Sequence, residues 1–265
     1  MTLKHSNYFA LVTGSAGLLG QNHCEALAEI GYNLILTDNN KVALKRQHYS
    51  LIKKFKNVKI LSFNMDVSSE KSVKKVCKII DKKKIKLKVL INNAALDSKV
   101  SGGKISKKNF FENFDLKQWN NEIKVGLTGA FICAKIFSKN FIKFKTPAII
   151  VNIASDLSVI APDQRLYINS SKPVSYSVIK SGIVGLTKYL STYFAKNKIR
   201  CNSLSPGGID NKQSKNFKKK ISKLIPLNRM AKKNEYKEAI KFLCSDKNNY
   251  MTGHNLIIDG GRSVW

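Results

Sequence analysis

Short apolar runs alternate with amphipathic stretches of helical length from one end of the chain to the other. This alternation predicts a strand–helix–strand order that is typical of a parallel sheet with helices on both faces. The predicted strands are residues 8–13, 33–37, 58–63, 87–91, 148–153, 199–204 and 256–258.

The stretches between these runs predict helices at residues 18–30, 69–83, 116–145, 174–196 and 235–245. Gly31 ends the first of them and Pro173 precedes the fourth. A very lysine-rich region at residues 211–223 is predicted to be a mobile surface segment. No Pro-, Gly- or Ser-rich linker divides the chain, so we predict a single domain over residues 1–265 with a doubly wound α/β fold.

The formal net charge of +30 is large enough to attract polyanions such as nucleic acids. Lysine outnumbers arginine 42 to 5, however, and the lysines are spread over nearly every segment. They form no single stripe with interleaved aromatic residues. This composition is typical of AT-rich codon usage, so we do not predict nucleic acid as a partner. A basic surface does favour an anionic small-molecule substrate.

The chain opens without an apolar signal core, and its apolar runs are far shorter than the roughly 18 residues that a membrane span needs. We therefore expect a cytoplasmic protein without a membrane partner. The five cysteines are scattered with no Cys-x-x-Cys, and the four histidines form no ligand spacing beside them. This pattern predicts neither a disulfide framework nor a metal site.

A glycine-rich turn follows the first predicted strand and opens the first predicted helix. Gly14 permits the turn, Gly17 allows a ligand to approach the backbone, and Gly20 lets the helix pack closely. The backbone amides of such a turn, together with the helix N-terminus, can hold a pyrophosphate. The turn therefore indicates a nucleotide site.

Asp38 ends the second predicted strand, where a carboxylate can accept hydrogen bonds from both ribose hydroxyls of an adenosine and repels a 2′-phosphate. This favours NAD as the cofactor in preference to NADP. The alternative is that Asp38 only forms a turn with the two asparagines that follow it. The positive charges of the nearby Lys41, Lys45 and Arg46 would still accommodate the 2′-phosphate of NADP.

Tyr176 and Lys180 lie one helical turn apart on one face of a predicted helix. A Tyr-x-x-x-Lys pair is expected about once by chance among nine tyrosines and 42 lysines, and a second pair, Tyr49 and Lys53, does occur. Only the first pair lies between a strand that ends in Ser155 and a strand that leads to a Pro-Gly turn.

With the glycine-rich turn and the sequence Asn-Asn-Ala-Ala at residues 92–95, this setting resembles the short-chain dehydrogenase/reductase family. Further matches are Val-Asn-Ile-Ala-Ser at residues 151–155, Ser-Pro-Gly-Gly-Ile at residues 205–209 and Asp-Gly-Gly at residues 259–261, so the resemblance covers nearly the whole chain. It implies a Rossmann fold and reversible alcohol–ketone oxidoreduction with a nicotinamide cofactor.

The resemblance also implies the roles of individual residues. Ser155 would hold the substrate oxygen, and Tyr176 would act as the base. Because a free tyrosine has a pKa of about 10, the ammonium of Lys180 would lower the pKa of Tyr176 and also bind the nicotinamide ribose. The implied cofactor-binding residues are Gly14, Ser15, Gly17, Leu18, Leu19, Asp38, Asp66, Val67, Asn93, Ala94, Tyr176, Lys180, Pro206, Gly207 and Ile209. For Asp66 and Val67 the alternative is a helix-capping role before Ser68.

The chain departs from the family pattern at four places, one of which is Ala95 in place of a glycine. Leu18 stands where short members place the middle glycine, and Gly126 stands where the family has an asparagine that anchors a proton-relay water. The loop between Ser155 and Tyr176 is also longer than is typical. It resembles that of members associated with bacterial surface-sugar and flagellin-glycan pathways, and Gln164, Arg165 and Tyr167 within it are the candidate substrate residues. The alternative is a solvated insertion or a subunit contact.

These observations predict an NAD(P)-dependent oxidoreductase, with an activated or acidic sugar as the expected substrate and a homodimer or homotetramer as the expected assembly. One alternative is a 3-oxoacyl-carrier-protein reductase, because a basic surface suits an acidic carrier protein. Another is a non-catalytic nucleotide-binding or nucleic-acid-binding protein that retains the fold.

Overall fold

A seven-stranded sheet forms the centre of the protein in a computed structural model that describes residues 7–96, 107–167 and 169–265. The strands are β1 (Phe9–Thr13), β2 (Asn33–Asp38), β3 (Ile60–Asn64), β4 (Leu87–Asn92), β5 (Ala148–Ile153), β6 (Ile199–Pro206) and β7 (Asn255–Ile258). They lie in the order β3-β2-β1-β4-β5-β6-β7, and every neighbouring pair is parallel. This confirms the predicted doubly wound α/β fold.

The strands bury side chains on both faces, because successive residues of a strand point to opposite sides of the sheet. In β1, Ala10 and Val12 belong to the core on one face, whereas Leu11 belongs to the core on the other face together with Ile35 of β2. Both faces are therefore covered, which is why the strands read as continuous apolar runs in the sequence.

Eight helices surround the sheet within the described part of the chain. They are α1 (Leu18–Glu29), α2 (Lys41–Lys54), α3 (Glu70–Lys82), α4 (Leu116–Ile123), α5 (Gly129–Lys143), α6 (Val174–Tyr193), α7 (Lys215–Ser222) and α8 (Lys237–Leu243). Buried residues of α1, α2 and α8 pack on one face of the sheet, and those of α3, α5 and α6 pack on the other.

The sequence pattern predicts no helix where α2 lies. Only Leu44, Gln47 and Leu51 of its 14 residues are buried, so its apolar stripe is too thin to stand out from the lysines around it. A local signal does mark its start, since the side chain of Asn40 accepts a hydrogen bond from the backbone N–H of Ala43 at 3.0 Å.

Part of the lysine-rich region at residues 211–223 forms the helix α7, which the sequence pattern does not predict. Ser214 caps α7 by accepting a hydrogen bond from the N–H of Phe217 at 3.2 Å. Ile221 of α7 is buried against Leu166 and Met230. The helix α7 packs through one apolar residue per turn, and its lysines lie on the other side. A count of charges alone does not reveal this apolar face.

The helix predicted at residues 116–145 is interrupted by a π-helical turn at Lys124–Thr128, which separates α4 from α5. Such turns are frequent at functional sites. By length and composition the continuous stretch Leu116–Lys143 could cross a membrane, but most of its apolar window is buried inside the protein. It is the core helix of this fold.

The chain order reverses between β1 and β4, which are neighbours in the sheet. From β1 the chain continues to β2 and β3 on one side, and from β4 it continues to β5, β6 and β7 on the other. Connections that leave neighbouring strands in opposite directions open a crevice at the carboxyl ends of the strands, where open α/β sheets bind their ligands.

Candidate active site

A cavity of about 530 Å³ occupies this crevice. It extends from the glycine-rich turn after β1 to α7, and the segments that follow β2, β4, β5 and β6 complete its walls. The predicted site residues that line it are Gly14, Gly17, Leu18, Leu19, Asp38, Asp66, Val67, Asn93, Ala94, Ser155, Tyr167, Tyr176, Lys180, Pro206, Gly207 and Ile209. The structure thus brings most of the predicted residues together, although they come from distant parts of the sequence.

The glycine-rich turn is shaped by close backbone contacts. Gly14 has a φ of +58°, and a Cβ there would lie 2.8 Å from the Cα of Ala94. A Cβ on Gly20 would collide with the carbonyl oxygen of Gly14. Gly17 donates its N–H to the same carbonyl at 3.1 Å, and within the described ranges no side chain caps α1 there. The first-turn amides of α1 therefore remain available for an anionic group such as a pyrophosphate.

Asp38 is fixed at the end of β2, beside the glycine-rich turn. Its Oδ2 accepts a hydrogen bond from the N–H of Ala16 at 3.1 Å, and its Oδ1 accepts one from the N–H of Asn40 at 2.9 Å. Both oxygens keep further lone pairs, because a carboxylate offers about four acceptor positions. The carboxylate is therefore anchored to the turn and can still accept hydroxyl groups of a ribose.

Asn93 joins the end of β4 to the glycine-rich turn. Its Nδ2 donates to the carbonyls of Thr13 at 3.0 Å and Gly14 at 2.9 Å. The hydroxyl of Thr13 accepts from the N–H groups of Asn93 at 3.0 Å and Ala94 at 3.1 Å. These bonds hold the two sides of the crevice together at the level of the cavity.

Ser155 lies at the carboxyl end of β5 and opens a short 3₁₀ turn, Asp156–Ser158. The side chain is buried, and its Oγ donates to Oδ1 of Asp156 at 2.8 Å and accepts from the N–H of Leu157 at 3.2 Å. The second carboxylate oxygen of Asp156 forms a buried ion pair with Nη1 of Arg262 at 2.8 Å.

Tyr176 and Lys180 lie one turn apart on α6 and both line the cavity. The buried Nζ of Lys180 donates to the carbonyl of Ile153 at 2.8 Å and lies 5.7 Å from the centre of the Tyr176 ring. A second ammonium, that of Lys172, lies 3.8 Å from the centre of the same ring. Tyr49, of the second Tyr-x-x-x-Lys pair, is an exposed residue of α2 and takes no part in the cavity.

Gly126 belongs to the π-helical turn, and its own position leaves no space for a side chain. A Cβ there would lie 2.8 Å from Cγ2 of Ile179, the residue before Lys180 on α6. Where the family has an asparagine, this chain has Gly126, and the side chain of Ile179 occupies the space next to it.

Three predicted residues do not line the cavity. The hydroxyl of Ser15 is buried without a hydrogen-bond partner in the described part of the chain. Oε1 of Gln164 accepts from the backbone N–H of Lys172 at 3.0 Å, so Gln164 supports the loop that carries Lys172. Arg165 is exposed and forms a bidentate pair with Asp163, whose pKa its hydrogen bonds keep below the usual value.

The structure adds cavity residues that the sequence interpretation did not single out. Phe217 of α7 lines the cavity at the end away from the glycine-rich turn, and its ring packs against the predicted residue Tyr167, with ring centres 5.8 Å apart. Asp156 and Arg262 meet there although they are 106 residues apart. Both directly follow family motifs, Ser155 in one case and Asp-Gly-Gly in the other, but only the fold shows that they pair.

No group of three or more His, Cys, Asp or Glu side chains in the described ranges is arranged to hold a metal ion.

Comparisons with known proteins agree with this geometry. The family model described as enoyl-(acyl carrier protein) reductase matches residues 14–263. The 3-oxoacyl-(acyl-carrier-protein) reductase FabG of Buchnera aphidicola is 31% identical over 98% of this chain and 98% of its own length. Reductases of this name recur among the relatives. The NAD-dependent glycerol dehydrogenase of Listeria innocua is 29% identical over 96% of this chain and 93% of its own length.

A solved structure gives the same result for the fold. The short-chain dehydrogenase of Leptospira borgpetersenii, determined with bound NAD+, superimposes with a TM-score of 0.85 and is 27% identical, covering 98% of this chain and 94% of its own. The chain therefore belongs to the short-chain dehydrogenase/reductase family and is an oxidoreductase that acts on CH–OH groups with a nicotinamide cofactor.

Proposed function

We propose that the protein interconverts an alcohol and a ketone on a polyhydroxylated, anionic substrate, such as an activated or acidic sugar, with NAD(H) in preference to NADP(H). The observation that carries the proposal is the placement of Ser155, Tyr176 and Lys180 at one cavity beside the anchored carboxylate of Asp38.

The residues present fit a dinucleotide. The N–H groups of the first turn of α1 would hold the pyrophosphate, and Asp38 would hold the adenosine ribose. When bound, the nicotinamide supplies the hydride acceptor or donor. Tyr176 takes the hydroxyl proton of the substrate in oxidation and returns it in reduction. The ammonium of Lys180, fixed by the Ile153 carbonyl, stabilises the phenolate that accepts this proton.

We infer the preference for NAD from Asp38, because its carboxylate lines the cavity and would repel the 2′-phosphate of NADP. Titration of the purified protein with NADH and with NADPH, followed by nicotinamide fluorescence, measures this directly. We expect NADH to bind at least about tenfold more tightly than NADPH, which corresponds to about 1.4 kcal/mol of binding free energy. We expect Asp38→Ser to reduce this difference in affinity. Equal affinities in the wild-type protein would contradict the preference.

The anionic character of the substrate is supported by Lys172, which lines the cavity next to Tyr176. Lys172→Met should raise the KM for an acidic keto sugar and leave the affinity for NADH unchanged. Arg165→Met is the matched control, because Arg165 lies in the same loop but points to solvent. Equal effects of the two substitutions would show that net charge, and not the cavity, governs binding.

The second candidate function is reduction of 3-oxoacyl chains on a carrier protein. It is favoured by the FabG relatives and by the net charge of +30. Parallel assays with an acetoacetyl carrier protein and with keto sugars decide between the two. Turnover of the acyl substrate alone would replace our proposal.

We also propose a place in surface-sugar or flagellin-glycan metabolism, a cytoplasmic location, a single domain over residues 1–265, and a homodimer or homotetramer. The assembly is supported by Tyr189 and Tyr193 of α6, whose exposed rings stack 5.7 Å apart, and by the exposed Phe131 of α5. Light scattering after size exclusion measures the assembly. Cofactor binding without turnover, or salt-sensitive binding to DNA or RNA, would favour the non-catalytic alternative.

A further inference from the structure

A buried hydrogen bond joins α4 to α6 next to Tyr176. The hydroxyl of Ser175 donates to Oε2 of Glu122, because a carboxylate can only accept. Glu122 is 5% exposed and Ser175 is fully buried, and neither side chain lines the cavity. A substrate in the cavity therefore does not compete for this bond. The other carboxylate oxygen, Oε1, accepts from Nε2 of Gln118 at 2.9 Å within α4 itself.

The same two helical segments meet again one turn later, at Gly126 and Ile179. A Cβ on Gly126 would lie 2.8 Å from Cγ2 of Ile179. Each of these residues stands four positions after Glu122 or Ser175 on its own segment, so the two segments run side by side in the same direction. The first contact is a directional hydrogen bond, whereas the second is apolar and fixes no angle.

Each contact residue of α6 directly precedes a residue of the candidate site. Ser175 precedes Tyr176, and Ile179 precedes Lys180. Neighbouring residues are separated by about 100° around a helix axis, so a rotation of α6 that breaks the Glu122 bond also moves the phenol and the ammonium. Breaking the bond is costly, because it takes a donor away from a buried carboxylate. The bond therefore resists rotation of the helix.

We propose that Glu122 is a positioning residue, which acts through Ser175 to fix the rotation of α6 about its axis. This rotation sets where the Tyr176 hydroxyl and the Lys180 ammonium stand in the cavity. The family pattern has a polar residue one turn later, at residue 126, where this chain has a glycine. Glu122 supplies a polar contact to α6 from the preceding turn. The inference rests on the proposed function, in which Tyr176 transfers the proton.

Steady-state kinetics with NADH separate placement of the catalytic groups from substrate binding. The full-length protein is assayed with acetoin, 5-ketogluconate and an acetoacetyl carrier protein, and the variants are compared on the substrate that the wild-type protein reduces fastest. Glu122→Leu removes the acceptor, and Ser175→Ala removes the donor. Each should lower kcat by at least about tenfold, because a misplacement of about 1 Å can cost roughly a hundredfold in rate. KM should change much less than kcat, since the bond does not touch the substrate.

Glu122→Gln is the conservative variant, because its amide oxygen still accepts from Ser175, and it should keep kcat near the wild-type value. Gln118→Met is the matched structural control. It removes the other hydrogen bond to Glu122, which lies within α4, so it should lower the melting temperature and leave kcat unchanged. The double variant Glu122→Leu/Ser175→Ala should be no slower than the slower single variant, because both substitutions remove the same bond.

NADH affinity, measured by fluorescence, reports that each variant is folded, and Ser175→Ala carries the comparison if Glu122→Leu does not fold. Wild-type kcat in folded Ser175→Ala would overturn the inference, as would losses that add in the double variant or an equal loss of kcat in Gln118→Met. These results leave the proposed oxidoreductase function intact. If the protein binds NADH but reduces none of the three substrates, the proposed function fails and the inference fails with it.

Discussion

Gly126 faces Ile179 so closely that any side chain at residue 126 must displace it. A Cβ on Gly126 would lie 2.8 Å from Cγ2 and 3.3 Å from Cδ1 of Ile179. Ile179 is itself buried in a small cluster with Ala130, Ala154 and Ile183, so it has little room to move. We therefore predict that Gly126→Ala overpacks this cluster.

The magnitude can be separated into two parts. Overpacking a well-filled core costs about 1–3 kcal/mol, whereas replacing a helical glycine by alanine stabilises by about 0.5–1 kcal/mol. Gly185 of α6 isolates the second part, because a Cβ there would meet no atom within 4 Å. Gly126→Ala should accordingly be about 1–3 kcal/mol less stable than Gly185→Ala. For a chain of this size, each kcal/mol shifts Tm by about 2–4 °C.

Thermal and urea unfolding of the two variants measure the difference. The double variant Gly126→Ala/Ile179→Ala should be more stable than the sum of the two single effects predicts, because the alanine at residue 126 then fills space that Ile179 has left. Gly126→Asn should be destabilised for the same reason as Gly126→Ala. If Gly126→Ala were as stable as Gly185→Ala, Ile179 would not occupy this space and the explanation for the missing asparagine would fail.

Three further predictions concern the cofactor crevice, the core and the substrate end. Thr13→Val removes the hydroxyl that accepts the backbone N–H groups of Asn93 and Ala94. It should lower the free energy of unfolding by about 1–3 kcal/mol and weaken NADH binding, whereas Thr13→Ser should change neither quantity. Urea unfolding measures the stability, and fluorescence titration measures the NADH affinity. Burial lowers the pKa of His23 from 6.5 to about 3, so the folded state keeps it neutral while the unfolded state gains a proton as the pH falls below 6.5. This group should therefore lower the free energy of unfolding by up to about 1.4 kcal/mol per pH unit between roughly pH 6.5 and 3. His23→Leu should lose less stability than the wild-type protein between pH 7 and 5. Equal losses in the two proteins would show that His23 is not kept neutral by burial. Phe217→Ala should raise the KM for the substrate without changing the Kd for NADH, because Phe217 lines the end of the cavity away from the glycine-rich turn, and a change in NADH affinity instead would place α7 at the cofactor.

The sheet and most helices could be predicted from the sequence, because strands buried on both faces read as continuous apolar runs. The helix α2 escaped prediction because it buries three residues among many lysines. The helix α7 escaped because composition alone does not show that Ile221 contacts Leu166 and Met230. The π-helical turn at residues 124–128 places Gly126 against Ile179 of α6, and no local pattern in the sequence encodes that contact.

The candidate site was predictable where motifs fix the backbone, as at Gly14, Asp38 and Ser155. It was not predictable where side chains meet across the fold. The pair of Asp156 with Arg262 joins the end of β5 to the C-terminal segment. The loop residue Arg165 looked suited to a ligand, but its side chain pairs with Asp163, two residues earlier, and lies in solvent.

Our proposal requires that Tyr176 carries the proton transfer at a preformed cofactor site. The most direct measurement compares Tyr176→Phe with Tyr49→Phe, the exposed tyrosine of the second Tyr-x-x-x-Lys pair, for NADH affinity and for turnover of an α-hydroxy ketone. We expect Tyr176→Phe to bind NADH as the wild-type protein does and to lose turnover, with Tyr49→Phe unchanged in both. Turnover by Tyr176→Phe at the wild-type rate would show that another group transfers the proton.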